Sequence, residues 1–457
     1  MTRELHPRGS LRARFAHAGR TSADVEMFRQ LGIGARSCDL GDEGLYLAEE
    51  LVAADRWLGP RDPLPLGVLV LALMIAQRQG STCLPLDPRG QLRTLIVDIA
   101  RLAGLDDPAG LVRAITRLTA RPQFDSVIGA GDQRLPLIVD LHCLYTERAR
   151  WLEQRVAAQI AARLAAPIAS DADADAAIAD VLARAGAAAL SAEQAAAVGL
   201  AARAPLAVVT GGPGTGKTVV AAAIVRGLAR RGVGPIALAA QTGKAANRLT
   251  QVIAEQLAGV RAPAPVDAAL AAAPPVAQTL HRLLGYRGER FAHDARCPLP
   301  YGAVIVDESS MIDLELVDAL LDALPATAPL ILIGDAHQLP AIDAGQILAD
   351  LAHPDSPARP RVAVLTASYR MSQADPGGRA VFAAAAAVHA GTAGRLVERA
   401  RPLAIPRAPD ELTFAGVEWV DPSAAADPDA AVRAVAERLW QHAGGPRALA
   451  AAERVFR

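Results

Sequence analysis

The chain has 457 residues, which is enough for two or more domains with buried cores. Its 47 basic and 48 acidic residues nearly cancel, so overall charge does not indicate a nucleic-acid partner and any such function must be inferred from local motifs. Cys38, Cys83, Cys143 and Cys297 are far apart without a C-x-x-C pair, which argues against a zinc site or disulfide framework and fits a reducing cytoplasm. The longest apolar run, residues 64–76, is too short to span a bilayer and is expected to be a buried helix.

Residues 1–165 are predicted to form a mainly helical domain, because apolar residues recur there at helical spacing. A long amphipathic helix is expected over residues 139–166. His142 and Cys143 within it are interpreted as a partly buried pair, since no further metal ligand or catalytic partner is close in sequence.

Residues 166–190 are poor in large apolar side chains and are expected to be a connector. Asp171, Asp173 and Asp175 alternate within it, but the glycine and closing glutamate of a calcium loop are missing. A solvated acidic linker is therefore the preferred interpretation.

After residue 190 the pattern changes to short apolar runs separated by helical segments, which predicts an α/β domain over residues 191–355. Such a pattern indicates a parallel sheet covered by helices on both faces, with ligand chemistry at the carboxyl ends of the strands. The predicted strands are residues 206–210, 235–240, 302–308, 328–335 and 361–366.

The strongest motif follows the first of these strands and precedes a predicted helix over residues 219–231. It reads GGPGTGKT and fits the phosphate-loop pattern G-x-x-x-x-G-K-[ST]. Its glycines let successive backbone N–H groups point at an anion, Lys217 is placed to reach the β- and γ-phosphates, and the Thr218 hydroxyl is a predicted Mg²⁺ ligand. The predicted nucleotide-binding residues are Gly211, Gly212, Pro213, Gly214, Thr215, Gly216, Lys217 and Thr218.

Two more strands end in polar side chains suited to nucleotide hydrolysis. Asp307 is predicted to hold Mg²⁺, and Glu308 to orient and deprotonate an attacking water. Gln338 follows a neighbouring strand, and its amide can sense both a γ-phosphate and that water. The alternatives are an acidic solvated turn and an Asp–Gln helix cap, and the placement of both motifs downstream of a phosphate loop disfavours them.

Several stretches together closely resemble the superfamily 1 DNA helicases, and within them the RecD family, the alpha subunits of exodeoxyribonuclease V. The resemblance is strong from residue 190 to about 370 and weaker in the N-terminal domain, where QGSTCLPL carries it. It implies a RecA-like P-loop NTPase domain, ATP and Mg²⁺ as cofactors, and single-stranded DNA or duplex ends as partners. The stretches are LSAEQAAAV, GGPGTGKT, AAQTGKAANRL, TLHRLLG, IVDESSMID, IGDAHQLPAIDAGQIL and LTASYR.

The resemblance also implies roles for individual residues. Gln194 matches the glutamine that reads adenine, which favours ATP over GTP. Thr242 and Lys244 match a segment that grips single-stranded DNA, and His281 lies in a further strand-contacting segment. Arg370 matches an arginine that reaches the γ-phosphate from the second motor domain.

The chain departs from the family at two places. Gln241 stands before Thr242 where the family usually has proline, which alters the rigidity of that loop. Residues 356–457 are expected to form only part of a second RecA-like domain, because they lack the family's T-x-H-x-x-Q-G and T-R-x-R motifs. We therefore expect a truncated copy.

Two functions follow from the resemblance. The first is an ATP-dependent 5′ to 3′ DNA helicase or translocase subunit of a RecBCD-type helicase–nuclease in double-strand-break repair, assembled with RecB-like and RecC-like subunits. The second is an ATP-binding and partner-binding subunit that does not translocate. Nuclease activity is assigned to a partner, because no further carboxylate cluster remains once Asp307 and Glu308 are used.

Overall fold

A computed structural model describes residues 22–38, 40–56, 62–120, 127–168, 172–184, 189–288, 290–338 and 344–369, together with 383–388, 392, 401–403, 418–420, 427, 430 and 433–437. The chain divides into two compact units. The first comprises residues 1–211 and 217–365, and the second comprises residues 212–216 and 366–457.

The N-terminal part of the first unit combines helices with a small sheet. The sheet has the strand order β1-β4-β3-β2, with β2 and β3 parallel and the other pairs antiparallel. The elements are α1 (Ser22–Ser37), α2 (Asp42–Arg56), α3 (Pro63–Arg78), β1 (Leu84–Pro85), α4 (Gln91–Leu102), α5 (Pro108–Ala120), β2 (Ile128–Ala130), β3 (Leu137–Asp140), β4 (Cys143–Thr146) and α6 (Glu147–Ala165).

Helix α3 is the centre of this region, which confirms the predicted buried helix. Asp62 caps it by accepting a hydrogen bond from the Leu64 N–H at 3.1 Å, and Pro63 occupies a first-turn position where no N–H is needed. Almost every side chain from Pro65 to Ala76 is buried, because the neighbouring helices α1, α2, α4 and α5 surround it. A helix that is apolar on all faces is stable only in such surroundings.

The predicted helix over residues 139–166 is wrong in its first part. Residues 137–146 form the hairpin β3–β4, and α6 begins only at Glu147, where the Thr146 hydroxyl caps it. Leu141 and His142 form the turn with φ of 46° and 61°, a left-handed conformation that is uncommon for non-glycine residues, above all for leucine. Helical periodicity gave the wrong prediction here because Leu144 and Tyr145 are buried in the strand, as they would be on the inner face of a helix.

The expected connector also contains regular structure. Residues 172–183 form helix α7, and two alanines, Ala174 and Ala177, are buried on it together with Ile178 and Val181. Alanine provides little apolar surface, but it lets helices approach closely, so a segment that looks featureless in sequence can pack well.

The rest of the first unit is an α/β domain with two short 3₁₀ turns, Ser309–Met311 and Arg359–Arg361. Its strands are β5 (Leu206–Gly211), β6 (Ile236–Ala240), β7 (Ala277–Thr279), β8 (Ala303–Asp307), β9 (Leu330–Gly334) and β10 (Val362–Leu365). Its helices are α8 (Ala192–Arg203), α9 (Lys217–Arg230), α10 (Gly243–Ala258), α11 (Pro265–Ala272), α12 (Leu280–Leu283), α13 (Leu314–Ala323) and α14 (Ile347–Ala352).

These strands form one parallel sheet in the order β10-β5-β9-β8-β6-β7, which confirms the predicted fold class. Successive side chains of β5, β8 and β9 fill two different hydrophobic cores, one on each face. Val208 and Val306 belong to one core, and Val209 and Ile305 to the other. The sheet extends beyond the expected boundary at residue 355, because β10 pairs with β5 from Val362 to Leu365.

The N-terminal region is attached to this domain through helix α6. Leu152 and Val156 of α6 lie in the core on one face of the sheet. The Arg163 guanidinium donates to the carbonyls of Ala328 and Leu324 at 2.8 and 3.0 Å. Arg361 donates to the carbonyls of Leu164 and Ala166 at 3.0 and 2.6 Å, so a buried arginine caps the carboxyl end of α6.

A buried ion network joins α7, α9 and α11 on the opposite face. The fully buried Asp267 carboxylate accepts from Arg226 at 2.8 Å and from Arg230 at 2.6 Å, and Arg230 also reaches Asp180 at 2.8 Å. Burial by itself raises the pKa of Asp267, but the hydrogen bonds from Arg230, Arg226 and the Ala264 N–H outweigh it and hold that pKa well below its usual range.

The second unit, described by itself, contains a parallel pair of strands, β11 (Arg401–Leu403) and β12 (Glu418–Val420). Among the helices that the structure describes in either unit, none combines the length and apolar character needed to cross a membrane.

We predict that Asp267→Asn lowers the free energy of unfolding by about 3–5 kcal/mol, because it leaves two buried guanidinium groups without their carboxylate. Urea denaturation measures this loss. Asp180→Asn is the matched control: its side chain is 36% exposed, so the loss there should stay below about 1 kcal/mol.

The pH dependence gives a second readout of the same network. Since folding lowers the pKa of Asp267, its stabilising contribution is present above the unfolded value of about 3.9 and is lost as the pH falls below that value. The difference in the free energy of unfolding between the original chain and Asp267→Asn should therefore become smaller in acid. An equal difference at pH 7 and in strong acid would contradict this assignment.

Candidate functional site

The polar motifs lie at the carboxyl edge of the six-stranded sheet. Strand β5 leads into the glycine-rich loop, β8 ends at Asp307, and β9 lies between them and ends at Gly334. The parallel arrangement therefore places Gly211, the acidic pair and Gln338 at or after the ends of three adjacent strands.

The glycine-rich loop has the backbone geometry expected of a tight strand-to-helix turn. Gly214 and Gly216 have φ of 77° and 81°, which explains why glycine is needed there. The Thr215 hydroxyl donates to the Gly212 carbonyl at 3.0 Å. Helix α9 begins directly after the loop at Lys217, whose ammonium donates to the Gly211 carbonyl at 2.6 Å.

Asp307 lies in an environment suited to a cation. Burial raises the pKa of its carboxyl group to about 6, while the Glu308 N–H, which donates to its Oδ1 at 2.9 Å, acts in the opposite direction. The positive charges of Lys217 and Arg248 also lower that pKa, so both basic groups are close enough to favour the ionised form. Arg248 of α10 is one residue that sequence reasoning did not identify.

Glu308 adopts a left-handed backbone conformation, with φ 51° and ψ 40°. For a non-glycine residue this costs on the order of 1 kcal/mol, and such conformations are concentrated at functional sites. The consequence here is geometric, because the chain turns sharply at Glu308 into the 3₁₀ turn Ser309–Met311 beside the end of β9.

Hydrogen bonds join the ends of these three strands. The buried Ser309 hydroxyl donates to the Ile333 carbonyl at 2.9 Å, and the Ser310 hydroxyl donates to Gln338 Oε1 at 3.3 Å. The Thr210 hydroxyl of β5 accepts from the Ala336 N–H at 3.0 Å. Sequence reasoning missed these three hydroxyls, although SS after DE was a visible signal.

Gln194 is buried on the first turn of α8. It forms a capping box with Ser191: its Oε1 accepts from the Ser191 N–H at 3.0 Å, and its own N–H donates to the Ser191 hydroxyl at 3.2 Å. The carbonyl end of its amide thus has a structural partner. Its predicted role in reading adenine stays a prediction.

The residues predicted to contact DNA follow two further strands at the same edge, β6 and β7. Thr242 follows β6 and caps α10 by accepting from the Ala245 N–H at 3.2 Å, and Lys244 is exposed on the first turn of that helix. His281 lies after β7, exposed and in edge-to-face contact with Tyr286 at a ring-centroid distance of 5.2 Å. Since β6 and β7 are neighbours, the predicted DNA contacts lie side by side.

Arg370 lies outside the described residues. Within the second unit, the residues just before it are hydrogen-bonded to the glycine-rich loop. The Ser368 hydroxyl donates to the Pro213 carbonyl at 3.1 Å, and the Tyr369 N–H donates to the Gly214 carbonyl at 2.8 Å.

The donor set at this edge fits Mg²⁺ bound together with a nucleotide. Mg²⁺ prefers oxygen ligands and usually takes only one or two carboxylates, with water and phosphate completing its shell. Two oxygen groups at this edge suit Mg²⁺: the Asp307 carboxylate and the hydroxyl of the half-buried Thr218, on the first turn of α9. Lys217 is close enough to Asp307 to lower the pKa of that carboxyl group. In the part of the chain that the structure describes, no cluster of three or more His, Cys, Asp or Glu residues forms a self-sufficient metal cage.

Much of the chain is similar in sequence to known proteins. Residues 194–344 match the family described as an AAA domain. The RecD subunit of the RecBCD enzyme of Mycobacterium tuberculosis is 35% identical over 344 residues, a segment that covers 72% of this chain and 52% of that protein. The ATP-dependent RecD2 DNA helicase of Deinococcus radiodurans is 38% identical over 187 residues, which cover 41% of this chain and 22% of that protein.

Among solved structures, the Pif1 helicase from Candida albicans is 18% identical, with coverage of 53% of this chain and 50% of that chain and a TM-score of 0.27. The relatives found by sequence are more similar to this chain, at 35% and 38% identity. The chain spans only about half the length of the M. tuberculosis RecD subunit that it matches. Over the matched region, the chain is a homologue of the RecD subunits of RecBCD enzymes.

Proposed function

We propose that the chain is an ATP-dependent DNA helicase or translocase subunit of a RecBCD-type helicase–nuclease, moving 5′ to 3′ on one strand during double-strand-break repair in the cytoplasm. One observation carries the proposal. The groups suited to nucleotide hydrolysis follow β5, β8 and β9, and the predicted DNA contacts follow the adjoining β6 and β7 on the same sheet edge. These two groups of strands are directly hydrogen-bonded through β8 and β6, which gives the proposed coupling of nucleotide and DNA a short physical path.

Each side chain has a chemical task in this proposal. Lys217 holds the β- and γ-phosphates, and Thr218 and Asp307 hold Mg²⁺, which neutralises phosphate charge when bound. Glu308 accepts the proton of the attacking water. Gln338 orients that water and senses the γ-phosphate.

Lys217→Ala should lower ATP hydrolysis by about 100-fold or more, because it removes a charge that stabilises the transferring phosphoryl group. The measurement is steady-state hydrolysis with and without single-stranded DNA. Lys244→Ala is the matched control: it should retain hydrolysis without DNA and lose much of the stimulation by DNA. If DNA does not stimulate the original chain, the motor proposal fails.

The direction of movement can be tested on single strands that carry a biotin–streptavidin block at one end. A 5′ to 3′ translocase should displace streptavidin from the 3′ end in an ATP-dependent reaction and leave a 5′ block in place. Displacement from the 5′ end alone would reverse the proposed polarity.

We further infer that the N-terminal region docks on the RecB-like and RecC-like subunits. This region has its own hydrophobic core and still displays large apolar side chains to solvent, notably Leu141, which is 84% exposed at the β3–β4 turn, and Trp151, which is 50% exposed on α6. Exposed apolar groups beside polar ones are typical of association surfaces. Such docking could also be this chain's main role, without translocation.

Leu141→Asn should weaken co-purification of the full chain with those subunits. The variant keeps the fold, because asparagine tolerates the positive φ of 46° at this position better than leucine does. Val276→Asn is the matched control, since Val276 is 72% exposed but lies next to β7 in the α/β domain. Equal binding by both variants would remove Leu141 from the docking surface.

A further inference from the structure

Two serines directly follow the acidic pair of β8, and the proposed chemistry gives neither a role. The left-handed turn at Glu308 brings both beside the end of β9. Ser309 is buried and its hydroxyl donates to the Ile333 carbonyl at 2.9 Å, so its task is to join the two strand ends.

Ser310 has a different partner. It is only half-buried, and its hydroxyl donates to the side-chain oxygen of Gln338 at 3.3 Å, across 28 positions of sequence. The Gln338 side chain is exposed at the edge of the sheet. Its backbone N–H donates to the Asp335 carbonyl at 3.1 Å, and this bond fixes the backbone of the turn. Because the backbone of Gln338 is already held, the Ser310 hydroxyl acts on its side-chain amide.

The chemical consequence follows from the two unlike ends of an amide. Here the Ser310 hydroxyl donates to the carbonyl oxygen of the amide, which places the NH₂ group on the other side. Only the NH₂ end can donate to a phosphate oxygen, and a carbonyl presented in its place repels that oxygen. An unrestrained terminal amide takes both orientations readily, since its last torsion is broad and roughly two-fold.

We propose that Ser310 is a positioning residue for Gln338, selecting the amide orientation in which its NH₂ donors are available to negative charge on a transferring phosphoryl group. The proposal rests on the function proposed above and deepens it. In this proposal both serines connect the motif after β8 to the motif after β9. Ser309 joins the two strand ends, and Ser310 orients the Gln338 amide.

The test is steady-state ATP hydrolysis by the full chain in the presence of single-stranded DNA, with kcat and KM measured separately. Ser310→Ala should lower kcat by about twofold, because an amide without this hydrogen bond takes both orientations about equally, and leave KM for ATP unchanged. Ser310→Thr retains the hydroxyl and should restore kcat. Because Gln338 transmits the effect, Ser310→Ala should cause no further loss in a Gln338→Ala chain.

Three results would overturn the proposal: an unchanged kcat in Ser310→Ala, a loss that Ser310→Thr does not restore, or a loss of equal size with and without Gln338. Thermal unfolding of each variant identifies any loss that comes from folding, and a fall in kcat explained by unfolding also counts against it. If the original chain hydrolyses ATP and Ser310→Ala matches it, only this inference fails. If the original chain does not hydrolyse ATP, the proposed function fails and this inference fails with it.

Discussion

The structure depends on one constraint: strands β5, β8 and β9 are buried on both faces. Their alternating side chains fill two separate cores, so helices must cover each side of the sheet, and helical crossovers between the strands let them run parallel. Parallel strands end at the same edge. Gly211 at the end of β5, Asp307 and Gln338 therefore lie at one edge of the sheet because of the burial of valine and isoleucine, although more than a hundred residues of sequence separate the first from the last.

The turn after β8 shows how local strain and tertiary bonding combine. Glu308 occupies a conformation that costs on the order of 1 kcal/mol, and a buried hydrogen bond of Ser309 to β9 holds the turn that follows. The same turn delivers Ser310 to Gln338, while Thr210 of β5 fixes the Ala336 amide nearby. The ends of β5, β8 and β9 are thus connected by hydrogen bonds of ordinary length.

Two buried arginines attach the N-terminal region to the sheet by a common principle. The last carbonyls of a helix lack partners within the helix, and a guanidinium group can satisfy several of them and interact favourably with the helix dipole. Arg163 serves the carboxyl end of α13 and Arg361 serves that of α6. Burial lowers the pKa of Arg163, yet the guanidinium remains the donor of these bonds. Helix α6 and the α/β domain are therefore joined by polar contacts as well as by Leu152 and Val156.

The amino-acid sequence by itself determined the α/β domain, the positions of its main strands, the buried helix α3 and the glycine-rich loop, because these depend on local periodicity and on glycine's freedom at positive φ. Only the tertiary structure decided the hairpin at residues 137–146, the packing of α7 and the pairing of β10 with β5. In those segments the local pattern is ambiguous, and the partner that resolves it is distant in sequence. The same reason explains why Asp307 could be predicted and Ser310 could not. Asp307 is visible in the sequence as an acidic residue that ends an apolar strand, whereas the role proposed for Ser310 depends on its hydrogen bond to the distant Gln338 amide.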